Sequence, residues 1–303
     1  MTKFLTGRDN HLFLANDSNG VQMQTMGELV MEKHQLHAIF EAHRSCFERM
    51  ENRGSAYIHI IAPNKETSYR QFLPDGYVYE RCGPTPLRQY AACVPEYSKL
   101  TFMDAEALLP HGRLVAYYKG ESHWTPQAAV HYMSAALGHF KRQEDRDRLN
   151  RLSINMIEKD LQGDLAIHAD MPSERVVHAE LANAQHSVSY WGDIVNEGYV
   201  RRCSSPTGKG RALILHDSFV HALFPFLSEI YSESLFIHCP EFLLDIESAF
   251  NPDIIIRIQA ERFFPYEPKT LANHVTWINE IEARKGTAGR TTRYLSDIVA
   301  NPV

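Results

Sequence analysis

Two short stretches of this chain carry residue types that can do covalent chemistry. The first is Arg211–Val220, in which the apolar run Ala212–Leu215 stops at His216-Asp217-Ser218-Phe219. A buried strand that ends at a small nucleophile and turns directly into a helix exposes a serine hydroxyl beside backbone N–H groups. Serine is a poor nucleophile until a base takes its proton, and that base needs a group to orient it. The second stretch, Glu121-Ser122-His123-Trp124-Thr125-Pro126, supplies a carboxylate and an imidazole two residues apart. The pair suggests serine-dependent acyl transfer, with Ser218 as nucleophile, His123 as general base and Glu121 as the acid behind it. Plainer roles stand beside these: Ser218 also fits a helix cap, His123 a packed ring, and Trp124 either a pocket wall or core.

The elements around these residues set where they lie. Leu29, Leu36, Ile39, Phe40, Phe47 and Met50 recur at helical spacing and predict a helix over about 26–52. Ala56–Ala62 reads as a buried strand closed by Pro63-Asn64-Lys65-Glu66, and 114–118 as a second strand broken by Lys119-Gly120. Thr125 followed by Pro126 is a helix start, so His123 falls in a loop between a strand end and a helix, the catalytic edge of open α/β sheets. Beyond Ser218 a helix to about 231, a strand at 234–239, a helix at 241–250 and a strand at 253–259 follow in turn. Strands alternating with helices predict a parallel sheet covered on both faces.

Composition narrows the function classes. The chain has 303 residues, 44% apolar, with a formal charge of −6, which argues against a broad basic nucleic-acid face. No apolar run approaches the roughly 18 residues of a membrane span. Met1–Asn10 shows no secretory signal, so the chain as it stands reads as cytoplasmic, or periplasmic if a signal or anchor was removed. Five scattered cysteines form no C-x-x-C pair, and no cofactor or metal motif is recognised. His34 and His37 read as a helix-surface pair. Ser205–Arg211 lacks the spacing of a phosphate loop and precedes its strand.

At this point the residues resemble a family. Glu121–Pro126 is similar to the Asp-x-His-Trp motif of the SGNH hydrolase-like acetyltransferase domains of the alginate O-acetylation proteins AlgX and AlgJ (DHHW-type). His216–Phe219 resembles the Gly-Asp-Ser-Phe block of that family. Asp9–Leu14, Ala62–Glu66 and Asn251–Ile256 with Glu261-Arg262 resemble its opening, Pro-Asn-Lys-Glu and C-terminal blocks, in family order. Two positions depart from the pattern: Glu121 stands for its aspartate and His216 for its glycine.

The resemblance implies a three-layer α/β/α SGNH-like fold, circularly permuted so that the acid and His precede the Ser. One catalytic domain is expected over 1–285, with room for an insertion at 165–206, and the Gly-Thr-Ala-Gly-Arg stretch predicts a flexible tail at 286–303. The resemblance places Asn64 as an oxyanion donor beside the Ser218 N–H, with Trp124, Lys65 and Arg262 towards substrate. The implied activity is O-acetylation of a polysaccharide or oligosaccharide acceptor. The acetyl donor would be a membrane acyltransferase partner or acetyl-CoA, with no nucleic acid and no membrane span. A carbohydrate esterase with the same triad, and a non-catalytic glycan-binding protein with a degenerate one, are the alternatives.

Overall fold

A computed structural model describes residues 4–302 except 16, 77–82, 105–107, 109–114, 192–195 and 287–288. The chain divides into two compact units. One comprises Met1–His37, Ile61–Asn183 and Ala260–Pro265; the other Ala38–Ile60, Ala184–Gln259 and Tyr266–Val303. The fold is mixed α/β, as the alternation of elements predicts.

The second unit is built on a sheet of β1 (Ala56–Ala62), β2 (Ser187–Trp191), β3 (Val200–Ser204), β4 (Arg211–His216), β5 (Glu233–Ile237) and β6 (Ile254–Ala260), in the order β1-β6-β4-β5-β3-β2. β4 runs parallel to both its neighbours, Ile214 lying opposite Ile256 on one side and Phe236 on the other. The far edge is antiparallel, through β5 with β3 and β3 with β2. Runs such as Ala212–Leu215 and Ile254–Ile256 are apolar at every position because a central parallel strand is covered on both faces. Leu213, Leu215, Leu235, Ile237 and Ile255 point to one face. There they meet Cys46 and Met50 of the helix Lys33–Glu51, Ile246 and Phe250 of Leu244–Phe250, and Trp277 of His274–Lys285. The alternate residue Phe236 points the other way and stacks 4.4 Å from Phe224 of the helix Phe224–Ile230.

The first unit carries the strand pairs Phe4–Thr6 with Leu12–Leu14 and Ile154–Leu161 with Glu174–Leu181, both antiparallel. The helix Pro126–His139 starts as expected: Thr125 accepts the Ala128 N–H at 3.2 Å and Pro126 opens the first turn.

Three elements differ from the sequence reading. The helix expected from Met26 begins at Lys33, because Gly27, at φ +69°, ends a separate short helix, Val21–Thr25. Of the strand expected at 114–118, Leu114 lies outside the described residues and the rest makes a single bridge, Tyr117 with Trp124. Its backbone is engaged by side chains: Tyr69 Oη accepts the N–H groups of Ala116 and Tyr117, and Lys65 takes the carbonyls of Tyr118 and Lys119. The segment 286–303, expected as a tail, carries the helix Gly289–Ala300, whose Leu295 and Ile298 enter the second unit's core. Among the described residues, no helix is long and apolar enough to cross a membrane.

Candidate active site

In the first unit the blocks singled out in the sequence are joined by hydrogen bonds. Leu12 N–H donates to Lys119 O at 2.8 Å and Leu14 N–H to Glu66 Oε1 at 2.9 Å. Asn64 N–H donates to Glu261 Oε2 at 2.9 Å, and Asn64 Oδ1 accepts the Arg262 N–H at 3.2 Å. Fixing Oδ1 on Arg262 turns the amide so that Nδ2 is its remaining donor, and Nδ2 makes no hydrogen bond among the described residues.

Lys65 lies beneath the loop that bears Glu121 and His123. Its Nζ donates to Tyr118 O and Lys119 O at 2.7 Å each and to Glu121 O at 3.1 Å. Only 2% of the residue is exposed, so its charge is spent on loop carbonyls. Burial pushes the ammonium down to about 7. Trp124, also 2% exposed, packs 5.6 Å from Tyr132 within the core. Arg262 is buried, its guanidinium 4.9 Å over the Phe263 ring.

His123 Nδ1 donates to Glu121 Oε1 at 2.6 Å, which fixes the tautomer with the ring proton on Nδ1. The same oxygen accepts the N–H groups of Ser122 and His123, at 3.1 and 3.2 Å, and Oε2 accepts the Asp164 N–H at 3.2 Å. The extra methylene of Glu over Asp is used to fold the carboxylate back over its own loop. Burial pushes its carboxyl up, but the His123 hydrogen bond and charge and the other donors outweigh this and hold it at about 2.

Asp164, which the sequence reading did not single out, sits against this pair. Its Oδ1 accepts the Ser122 N–H at 2.7 Å, its Oδ2 accepts Ser122 Oγ at 2.5 Å, and Oδ2 is 3.8 Å from His123 Nδ1. Burial and then the Glu121 charge push its carboxyl up. Glu121, His123 and Asp164 present ligand atoms within 4.8 Å of one another, close enough to hold an ion. In the structure their oxygens accept N–H and O–H donors.

In the second unit Ser218 opens a 3₁₀ turn, Ser218–Ala222, directly after β4. The cap is Asp217, whose Oδ1 accepts the Phe219 N–H at 2.8 Å, so capping is not the role of the serine. Asp217 N–H donates to Ile258 O at 3.3 Å, anchoring the turn to β6. His216 is an ordinary extended strand residue that needs no glycine backbone. Its ring is buried and donates from Nδ1 to Asp217 O at 2.8 Å.

The second unit holds a hydrogen-bonded Ser-His-Asp set. Ser296 Oγ lies 3.0 Å from His274 Nε2, and His274 Nδ1 lies 2.7 Å from Asp245 Oδ2. Ser296 is interior to the helix Gly289–Ala300, where its N–H belongs to the helical ladder and cannot serve an oxyanion. This set reads as a clasp between helices. His37 Nε2 lies 3.6 Å from Cys93 Sγ.

No protein-family profile matches the chain, and no curated protein sequence matches it. Solved structures do match its fold. PatB1 of Bacillus cereus is 12% identical with a TM-score of 0.57, covering 86% of this chain and 96% of that one. A DHHW family protein from Eubacterium siraeum is 12% identical at TM-score 0.61, over 88% and 93%. The O-acetyltransferase domain of Pseudomonas putida AlgJ is 16% identical at 0.53, over 93% and 99%. The chain thus has the fold of the AlgJ-type SGNH-like domains that its motifs resemble.

Proposed function

We propose that this chain is an O-acetyltransferase acting on a polysaccharide or other glycan through an acyl-enzyme on Ser218. The observation that carries the reading is the 2.6 Å contact of Glu121 with His123 Nδ1, which leaves Nε2 poised as a base. In this mechanism His123 Nε2 takes the Ser218 hydroxyl proton as Oγ attacks the acetyl carbonyl. The Ser218 N–H and Asn64 Nδ2 hold the oxyanion, and His123 returns the proton to the leaving group. A sugar hydroxyl then gives its proton to His123 and attacks the acyl-enzyme, which restores Ser218 and yields the acetylated glycan. The acetyl donor is an ester or thioester, supplied by a membrane acyltransferase partner or as acetyl-CoA.

The fold neighbours support this reading: AlgJ is named as an O-acetyltransferase, and PatB1 has been solved with a sulfonyl adduct. The test is the intact mass of wild type, Ser218→Ala and Ser296→Ala after brief exposure to an activated acetyl ester. One acetyl adduct on wild type and Ser296→Ala but not on Ser218→Ala, discharged faster by an oligosaccharide than by water, is the expected result. Discharge into water alone would make the chain an esterase. An adduct missing from all three proteins would sink acyl transfer, and an adduct lost only in Ser296→Ala would move the nucleophile to the helical serine.

A further inference from the structure

We infer that Asp164 is a second carboxylate of the His123 site, holding the imidazole in place through Ser122 and adding its charge to that of Glu121 behind Nδ1. This rests on the acyl-transfer reading of that site and names a positioning residue within it. Four contacts carry it. Asp164 N–H donates to Glu121 Oε2, Ser122 N–H and Ser122 Oγ both donate to the Asp164 carboxylate, and Asp164 Oδ2 stands 3.8 Å from His123 Nδ1. Ser122 Oγ itself lies 3.4 Å from the same Nδ1. The carboxylate therefore reaches the ring by a direct charge contact and through one hydroxyl.

The backbone is built to bring it there. Leu165 N–H and Ala166 N–H both donate to Gly120 O, at 3.0 and 2.9 Å. A Cβ on Gly163 would stand 2.3 Å from Gly120 O and 2.8 Å from Glu121 Cα. Two chain segments meet at glycine on each side, an approach that a Cβ on Gly163 would block. Asp164 is the first residue beyond that contact.

The charged groups facing it are Glu121 and His123 on the loop. Lys65 lies below them, near enough to feel the charges of Asp164, Glu121 and Glu174. The glutamate Glu174 also holds the Lys119 N–H at 2.9 Å. A second anion beside an imidazolium favours the charged ring. Removing it lets His123 stay neutral, and so able to act as a base, to lower pH.

The test uses the full chain with Asp164→Asn, which keeps the size and one acceptor, and Asp164→Ala as a second variant. Two readouts are followed: the pH–rate profile of acetyl transfer, and the pH titration of the His123 ring signals by NMR, with His123→Ala for assignment. Both variants are expected to move the acid limb and the ring titration down by about one pH unit. The value of kcat should fall roughly tenfold while KM changes little. A ring titration that does not move in either variant overturns the inference, whatever happens to the rate. A ring titration that moves in a chain with no transfer activity upholds it and counts against the acyl-transfer reading instead.

Discussion

Glu121 Oε1 accepts three hydrogen bonds from two consecutive residues: the His123 ring at 2.6 Å and the backbone N–H groups of Ser122 and His123. The proposed acid is therefore fixed by the loop that carries the proposed base, before any contact with substrate. Glu121→Gln keeps the shape but presents an amide where the ring N–H needs a carboxylate. Activity should fall roughly 10²–10⁴-fold, read as kcat against wild type. Because the Glu121 carboxyl is held at about 2, its stabilisation is present above the ordinary glutamate range and is lost as pH falls through about 2. Acid unfolding followed by circular dichroism should therefore start at lower pH in wild type than in Glu121→Gln, and an earlier onset in wild type would refute this reading.

Lys65 gives a prediction of the same sign in a higher pH window. Its folded-state value lies near 7, so above that pH the folded chain has released a proton that the unfolded chain keeps up to the ordinary lysine range. Unfolding free energy therefore rises with pH across that window. Lys65→Met should cost roughly 1–3 kcal/mol through the lost carbonyl contacts and should flatten this rise. Urea unfolding at pH 6 and pH 9 measures both, and equal slopes for the two proteins would refute the assignment.

Asn64 separates structure from chemistry within one side chain. Its Oδ1 is tied to the Arg262 N–H, while Nδ2 is the proposed oxyanion donor. Asn64→Ala should lower kcat by about 10²–10³ with KM nearly unchanged, and should cost only about 1 kcal/mol of stability. A larger loss in KM than in kcat would assign Asn64 to ground-state binding.

Gly163→Ala tests the close approach of backbones. The added methyl would meet Gly120 O at 2.3 Å, and backbone on both sides leaves little room to yield. A melting experiment should show a loss of roughly 1–3 kcal/mol, with activity falling further than stability because Glu121 is displaced. A fully active variant would mean that the contact is relaxed in solution.

Local pattern made much of this molecule legible. The run Ala56–Ala62 is β-branched and aromatic enough to declare its strand, and Thr125-Pro126 declares its helix start. The Glu121-His123 pairing followed from a spacing of two residues on one loop. Asp164 escaped notice because it is 43 residues from Glu121 and looks, locally, like the first residue of a short turn. The resemblance places Lys65 towards substrate, and only the fold reveals three carbonyls around its nitrogen. The C-terminal helix did leave a signal, Leu295 and Ile298 at helical spacing, which the Gly-Thr-Ala-Gly stretch before it obscured.

The strand that ends at Ser218 has a consequence for how the protein is made. β4 lies between β5 and β6, and both come later in the chain. During synthesis, then, one edge of the serine strand stays bare until β5 has emerged and the other until Ala260 has left the ribosome. The Asp217 N–H has no Ile258 carbonyl to hold before that point. A chain halted or cleaved ahead of Ile254 would carry Ser218 on an unfinished, adhesive edge. Such fragments should aggregate before they could catalyse anything.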